Sequence, residues 1–491
     1  MPGAFQIRVG VADDGGVSSG RRPTRWIVRV APIFLIAAVI GSASLVGGSP
    51  NTSGGNTAST GSPGKAGKTG KAGKTGTTKS PAKTSTTLTP RSARPYDTQL
   101  RATIASLNRK WAVWLPQLFD VDYAKLTGGL YAYRSDTVTP KCDGTRLPYL
   151  VIRQNAFFCP EDDFIAWDDE GLFPKLAKAH GTLLLSVVLA HEWGHAIQQR
   201  ADLFYELSTI ISEQQADCFA GAWLAGLDPN NPDEKELVAM RDVQLDASLA
   251  GFVEFRDIVG LDALSAGSHG TAFDRMRAFQ DGYESGPGKC ATYVDTPPEL
   301  VGFAFRNLKE RFRGGNLPFP DLVKETVASL EKSSATSSKL TFVEETADAP
   351  PCARPQRFAG LIGKAVSGCR DGAGSIRFRR AALKKWFDEF GDFAPATVLS
   401  LGWASMATST ESTLADTSGT FAADCLAGRW TGELVDLKHP ETSALSPGDL
   451  DEAAQTLLKL AAAEKEPGRG FERVRSFRVG LMTGLCNAPP A

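Results

Sequence analysis

Apolar residues recur at helical spacing over 97–118, 172–200, 205–226, 232–250, 271–284, 375–390 and 450–463, and each stretch predicts a helix. Short strands are predicted at 129–134, 147–153 and 163–167. The run Leu183-Leu184-Leu185-Ser186-Val187-Val188-Leu189-Ala190 is apolar on all sides, as a buried helix is. Together these predict an α+β chain, mainly α. Two N-terminal stretches stand apart. Residues 26–46 are apolar except for Arg29, and Val30 to Val46 is near the short end of a membrane span. The arginines before it predict a single-pass anchor at the cell membrane, with residues 1–25 cytoplasmic and the domains extracytoplasmic. A cleaved secretory signal is the alternative, because Gly41-Ser42-Ala43 offers a small-residue cleavage site. Residues 47–95 are mostly Gly, Ser, Thr, Pro and Lys, cannot bury a core, and predict a disordered linker.

The buried run ends in His191-Glu192-Trp193-Gly194-His195. On a helix, positions i and i+4 lie one above the other, so both imidazoles leave one face. That is the spacing two ligands need on one tetrahedral zinc ion. Glu192 is offset around the helix, placed to act on water rather than to ligate. Downstream, Glu213 and Asp217 are again i and i+4. Glu213 supplies the third ligand that a two-histidine site lacks. Asp217 is placed to accept the second ring N–H of a ligand histidine.

The second half of the chain echoes the first. Cys159 corresponds to Cys369, Gly181 to Gly391, and Trp193 to Trp403. Ala216-Asp217-Cys218-Phe219-Ala220-Gly221 matches Ala423-Asp424-Cys425-Leu426-Ala427-Gly428, and Phe273-Asp274-Arg275 matches Phe471-Glu472-Arg473. The blocks keep one order, which predicts a tandem repeat with units at 96–298 and 299–491. The chemistry does not repeat. His191 becomes Leu401, Glu192 becomes Gly402, His195 becomes Ser405, and Glu213 becomes Thr420. His269 falls opposite Pro467 and is lost with them, which marks it as a catalytic candidate. His180 falls opposite Phe390 and reads as packing, whereas His439 reads as surface.

The ordered motifs from Phe158-Cys159-Pro160 through the two histidines, Glu213-Gln214-Gln215-Ala216-Asp217 and Ser268-His269-Gly270 to Arg275 resemble the bacterial neutral zinc metallopeptidases. The resemblance covers roughly residues 96–295. It implies a zincin-like unit, followed here by a degenerate copy, and hydrolysis of peptide bonds in a protein or peptide substrate. His269 and Arg275 match a His-then-Arg element of the related membrane gluzincins.

Net charge is −1 over 491 residues, which leaves no general case for nucleic-acid binding. All eight cysteines follow the apolar segment, four in each half, and predict disulfides in an exported chain. Three connectivities are open per half. The equal spacing of Cys142 to Cys159 and Cys352 to Cys369 favours those two bridges, with Cys218–Cys290 and Cys425–Cys486 completing the set. The expected function is a membrane-anchored zinc endopeptidase. Zinc ligands are His191, His195 and Glu213, Glu192 is the general base, His269 assists, and Asp217 supports a ligand. The alternative is a non-catalytic binding or scaffold protein with a vestigial zinc site.

Overall fold

The computed structural model describes residues 93–204, 206–261, 267–409, 419–435 and 443–486. The first half opens with α1 (Asp97–Phe119), β1 (Gly129–Tyr133), the short pair β2 (Lys141–Cys142) and β3 (Thr145–Arg146), and the single turn α2 (Tyr149–Ile152). Then come β4 (Ala156–Cys159), β5 (Phe164–Asp168), α3 (Leu172–His180), α4 (Leu183–Arg200), α5 (Thr209–Ala225), α6 (Lys235–Ala250) and α7 (Ala272–Ala291). The second half runs α8 (Leu308–Phe312), α9 (Phe319–Lys332), β6 (Thr341–Glu344), β7 (Pro355–Gln356), α10 (Ile362–Ala365), β8 (Val366–Cys369) and β9 (Ser375–Phe378). It ends with α11 (Arg380–Phe390), α12 (Phe393–Thr408), α13 (Gly419–Glu433), α14 (Asp449–Glu464) and α15 (Arg469–Thr483). The chain is α+β and mainly helical.

Each half builds a small mixed sheet between its opening helix or helices and its main run of helices. In the first, β5 lies between β1, parallel to it, and β4, antiparallel to it. In the second, β9 lies between parallel β6 and antiparallel β8, and β7 extends the far edge. One hydrophobic core runs through both halves, with Trp193, Trp223, Trp403 and Trp430 buried in it. All four expected disulfides are present: Cys142–Cys159, Cys218–Cys290, Cys352–Cys369 and Cys425–Cys486. The second and fourth tie α5 to α7 and α13 to the segment after α15. Glycines let these helix pairs approach closely. A Cβ on Gly221 would lie 2.0 Å from the Phe279 carbonyl oxygen, and one on Gly428 would lie 1.9 Å from that of Phe477.

Several expected elements shift, for local reasons. The helix expected over 172–200 is two helices, because Gly181 takes φ +83° and ends α3. Leu183 then starts α4 with its N–H on Gln244 Oε1 at 3.0 Å. The strand expected at 147–153 is instead the turn α2. The carbonyl of Pro148 takes the N–H groups of Val151 (2.9 Å) and Ile152 (3.3 Å), and the strand forms at β4. The helix expected from 375 starts at Arg380, because Ile376 and Phe378 alternate inward as β9.

The expected membrane anchor requires correction. Among the described residues no helix is long and apolar enough to cross a membrane. The apolar helix α4 is 18 residues long, buries its length against protein, and carries the ionisable His191, Glu192 and His195. The segment 26–46 and the linker 47–95 lie outside the described residues.

Candidate metal centre

The centre forms where α4 crosses α5. Gly194 permits the crossing, since a Cβ there would lie 2.8 Å from Ala216 Cα. His191 Nε2 and His195 Nε2 are 3.2 Å apart. Glu213 Oε2 lies 3.2 Å from His191 Nε2, and Oε1 lies 3.4 Å from His195 Nε2. All three side chains are buried, and they form a group that could hold a metal ion.

Hydrogen bonding around the rings fixes what they offer. His191 Nδ1 meets Asp217 Oδ1 at 2.8 Å, and His195 Nδ1 meets Gln198 Oε1 at 2.9 Å. Gln198 is itself oriented, because its Nε2 donates to Ser212 O (2.7 Å) and Gln215 Oε1 (3.0 Å). Both Nδ1 atoms therefore face acceptors, so in a neutral ring the proton belongs on Nδ1 and the lone pair on Nε2. Both Nε2 lone pairs then converge with the Glu213 carboxylate, whose oxygens meet no well-directed donor. Two lone pairs and an anion aimed at one buried point call for a cation.

Charge states reflect the same crowding. Burial works to lower the pKa of His191, but the Asp217 charge and hydrogen bond, with Glu213, lift it to about 10. Without a metal, a proton takes the place of the cation. Burial works to raise Glu213, yet His269, His195 and His191 hold it well below the usual carboxylate range. Asp217 is also lowered against burial, chiefly by Arg275, which grips it at 2.7 and 2.9 Å. Glu192 goes the other way: burial raises it more than the two histidines lower it. Its Oε1 is buried without a hydrogen-bond partner.

His269 sits in the loop before α7. Asp257 Oδ2 accepts from Ser268 Oγ (2.7 Å), His269 N (2.8 Å) and Gly270 N (2.7 Å), while Oδ1 lies 3.3 Å from His269 Nδ1. The ring's Nε2 is buried without a partner. Burial works to lower His269, but Glu213 and then Asp257 raise it. His269 thus lies within electrostatic reach of Glu213 but outside the three-residue ligand group. His180 closes α3 with Nε2 3.7 Å from Glu254 Oε1, away from these residues, and His439 lies outside the described residues.

The second half holds no counterpart of the His-His-Glu group among the described residues. Leu401 is fully buried, and the Ser405 hydroxyl turns back onto the Leu401 carbonyl at 2.7 Å. At Gly402 a Cβ would meet Val366 Cγ2 at 2.8 Å, so a valine packs against the position of the base. A separate trio, Asp392, Asp449 and Glu452, is buried nearby. Burial and repulsion among the three push the pKa values of Asp449 and Glu452 well above the carboxylate range.

Two residues of the site had no place in the sequence reading. Gln198 stands three positions after His195 on the same helix, and that spacing was a usable signal. Asp257 is a loop residue with no periodic neighbour, and nothing in the sequence singled it out.

No protein-family model matches the chain, and no solved structure does. The chain is similar to Uncharacterized protein Mb2605 of Mycobacterium bovis and Uncharacterized protein Rv2575 of Mycobacterium tuberculosis. Each is 25% identical over 159 residues, covering 28% of this chain and 54% of the relative. The chain thus spans about half the length of the curated relatives it matches.

Proposed function

We propose that the chain is a zinc-dependent endopeptidase working in an oxidising compartment, built from a zincin-like unit and a degenerate tandem copy. The observation that carries this reading is the convergence of His191, His195 and Glu213 beside a buried Glu192 that ligates nothing. A purely structural site has no use for that fourth group. The repeated strand order and disulfide pattern support the duplication. The four bridges support the compartment.

His191, His195 and Glu213 would hold the ion, and nitrogen and carboxylate donors suit zinc. When bound, zinc supplies Lewis acidity that polarises a carbonyl and acidifies water. Glu192 takes a proton from water at its unpartnered Oε1 and passes it to the leaving amine. Burial, which raises its pKa, makes the carboxylate a readier proton acceptor. His269, anchored by Asp257 and held towards its protonated form, offers Nε2–H to the developing oxyanion. Asp217 and Gln198 keep the ligand rings in one tautomer.

A second reading keeps the metal and drops the chemistry, making the chain a binding or scaffold protein. It is favoured by one observation: His191, Glu192, His195 and Glu213 are each 3% exposed or less. Hydrolysis of a panel of denatured proteins by the zinc-loaded chain, with Glu192→Gln as control, separates the two. The endopeptidase reading expects cleavage that falls by roughly 10²–10⁴-fold in the variant while zinc is retained. Equal cleavage by both proteins refutes Glu192 as base, and no cleavage by the wild type favours the scaffold.

A further inference from the structure

We propose that the ligandless half positions the metal centre of the other half through Asp451, an inference that rests on the metal reading above. Asp451 is in the first turn of α14 and buried. Its Oδ1 accepts the N–H of Phe273, in the first turn of α7, at 2.9 Å. Its Oδ2 pairs with Arg256 Nη1 at 3.0 Å. One carboxylate of the second half therefore joins two segments of the first, and both lead to the centre.

The Phe273 side leads through α7. Two residues on, Arg275 grips Asp217, which in turn holds the His191 ring at 2.8 Å. Arg275 also donates to the Phe255 carbonyl at 2.8 Å, so it ties the same two segments together from within. The Arg256 side leads to its neighbour Asp257, which organises the His269 loop by three hydrogen bonds. A buried N–H at a helix start has no intrahelical partner. Removing Asp451 strands that donor and frees Arg256 together. The segments carrying Arg275 and Asp257 then lose their outer tie. Asp451 is a positioning residue: it acts on the zinc ligands through Arg275 and Asp217.

The same kind of contact runs in the reverse direction and supplies an internal control. Asp246 of the first half accepts from Gly470 N (2.9 Å) and Phe471 N (2.8 Å), which open α15 of the second. Phe471 is the sequence counterpart of Phe273, and α15 carries Arg473 as α7 carries Arg275. Ring contacts reinforce the junction, Phe273 with Phe477 at 6.5 Å and Tyr283 with Phe471 at 4.9 Å. The two aspartates thus brace the halves against each other, but only one of the braced helices serves a metal site.

The test is zinc affinity of the full-length chain, measured by chelator competition alongside melting temperature. Asp451→Ala is expected to raise the zinc Kd roughly tenfold or more, as loss of support around a ligand does. Asp246→Ala is expected to lower the melting temperature comparably and leave zinc Kd within about twofold. Should Asp451→Ala fail to fold, Asp451→Asn keeps an acceptor for the Phe273 N–H and drops the charge facing Arg256; a several-fold weaker zinc Kd is then expected. A wild-type zinc Kd in the folded Asp451 variant, or an equal rise in Asp246→Ala, overturns the inference. A wild-type chain that binds no zinc overturns the metal reading itself, and the inference with it.

Discussion

Asp217 and Asp424 occupy matching sequence positions in the two halves, each buried against an arginine of the second long helix that follows, α7 or α15. Their surroundings differ: Arg275 grips Asp217 through two nitrogens, whereas Arg473 reaches Asp424 through one and gives another to Glu464. Asp217 also faces His191, whereas Asp424 leaves its Oδ2 without a partner. The consequence is electrostatic. Arg275 and His191 hold Asp217 below the ordinary range in spite of burial. Burial lifts Asp424 to about 7 in spite of Arg473. The aspartate–arginine pair therefore belongs to the scaffold, and it persists where no metal ligand remains. With His191 beside it, the same aspartate also orients a ring of the candidate metal group.

Breaking the disulfides probes how far scaffold and site are coupled. Replacing Cys218 and Cys290 by Ser should cost roughly 4 kcal/mol in the chain-entropy model, as should replacing Cys425 and Cys486. Only the first pair of substitutions should also weaken zinc binding, because only that bridge ties the Glu213 helix to the helix carrying Arg275. Chemical denaturation and chelator competition on both variants measure this, and equal zinc loss in the two would erase the contrast.

Asp217→Asn should raise zinc Kd roughly 10–100-fold, since an amide neither balances Arg275 nor fixes the His191 tautomer as firmly. Asp424→Asn should leave zinc Kd unchanged. Its effect lies in the pH dependence of stability. A carboxyl whose folded pKa is raised binds protons more tightly in the folded state than in the unfolded one. Its stabilising contribution is full below about pH 4 and declines as pH rises towards about 7. Wild-type stability should therefore carry a falling component across that window, with an upper bound of about 1.4 kcal/mol per pH unit from this group. The Asn variant should lack it and be the more stable protein at pH 8 by roughly 1–2 kcal/mol. Melting curves at pH 5 and pH 8 read this out, and parallel shifts in both proteins would contradict it.

Much of this organisation was legible in residue order, for definite reasons. The i and i+4 spacings placed His191 with His195 and Glu213 with Asp217, because helix geometry is local and regular. Comparison of the halves singled out His191, His195 and Glu213, which have no like residue at Leu401, Ser405 and Thr420, and the structure groups those three side chains. Equal cysteine spacing pointed to two of the bridges, and the shared order of blocks in the two halves pointed to the other two. What escaped notice depends on loops and distant contacts. Asp257 reaches His269 from a segment without periodicity, and Asp451 meets Phe273 across the junction between the halves. The break at Gly181 and the turn at Pro148 were signalled by residues whose backbone constraints outweigh apolar periodicity.

The most direct test of the account is the zinc content of the purified chain and of Glu213→Ala. One zinc per wild-type chain is expected by elemental analysis, with two nitrogen donors and oxygen in its X-ray absorption spectrum, and that zinc should leave the variant under a chelator the wild type withstands. Two zincs per chain, or a variant that keeps its zinc at wild-type affinity, would contradict it.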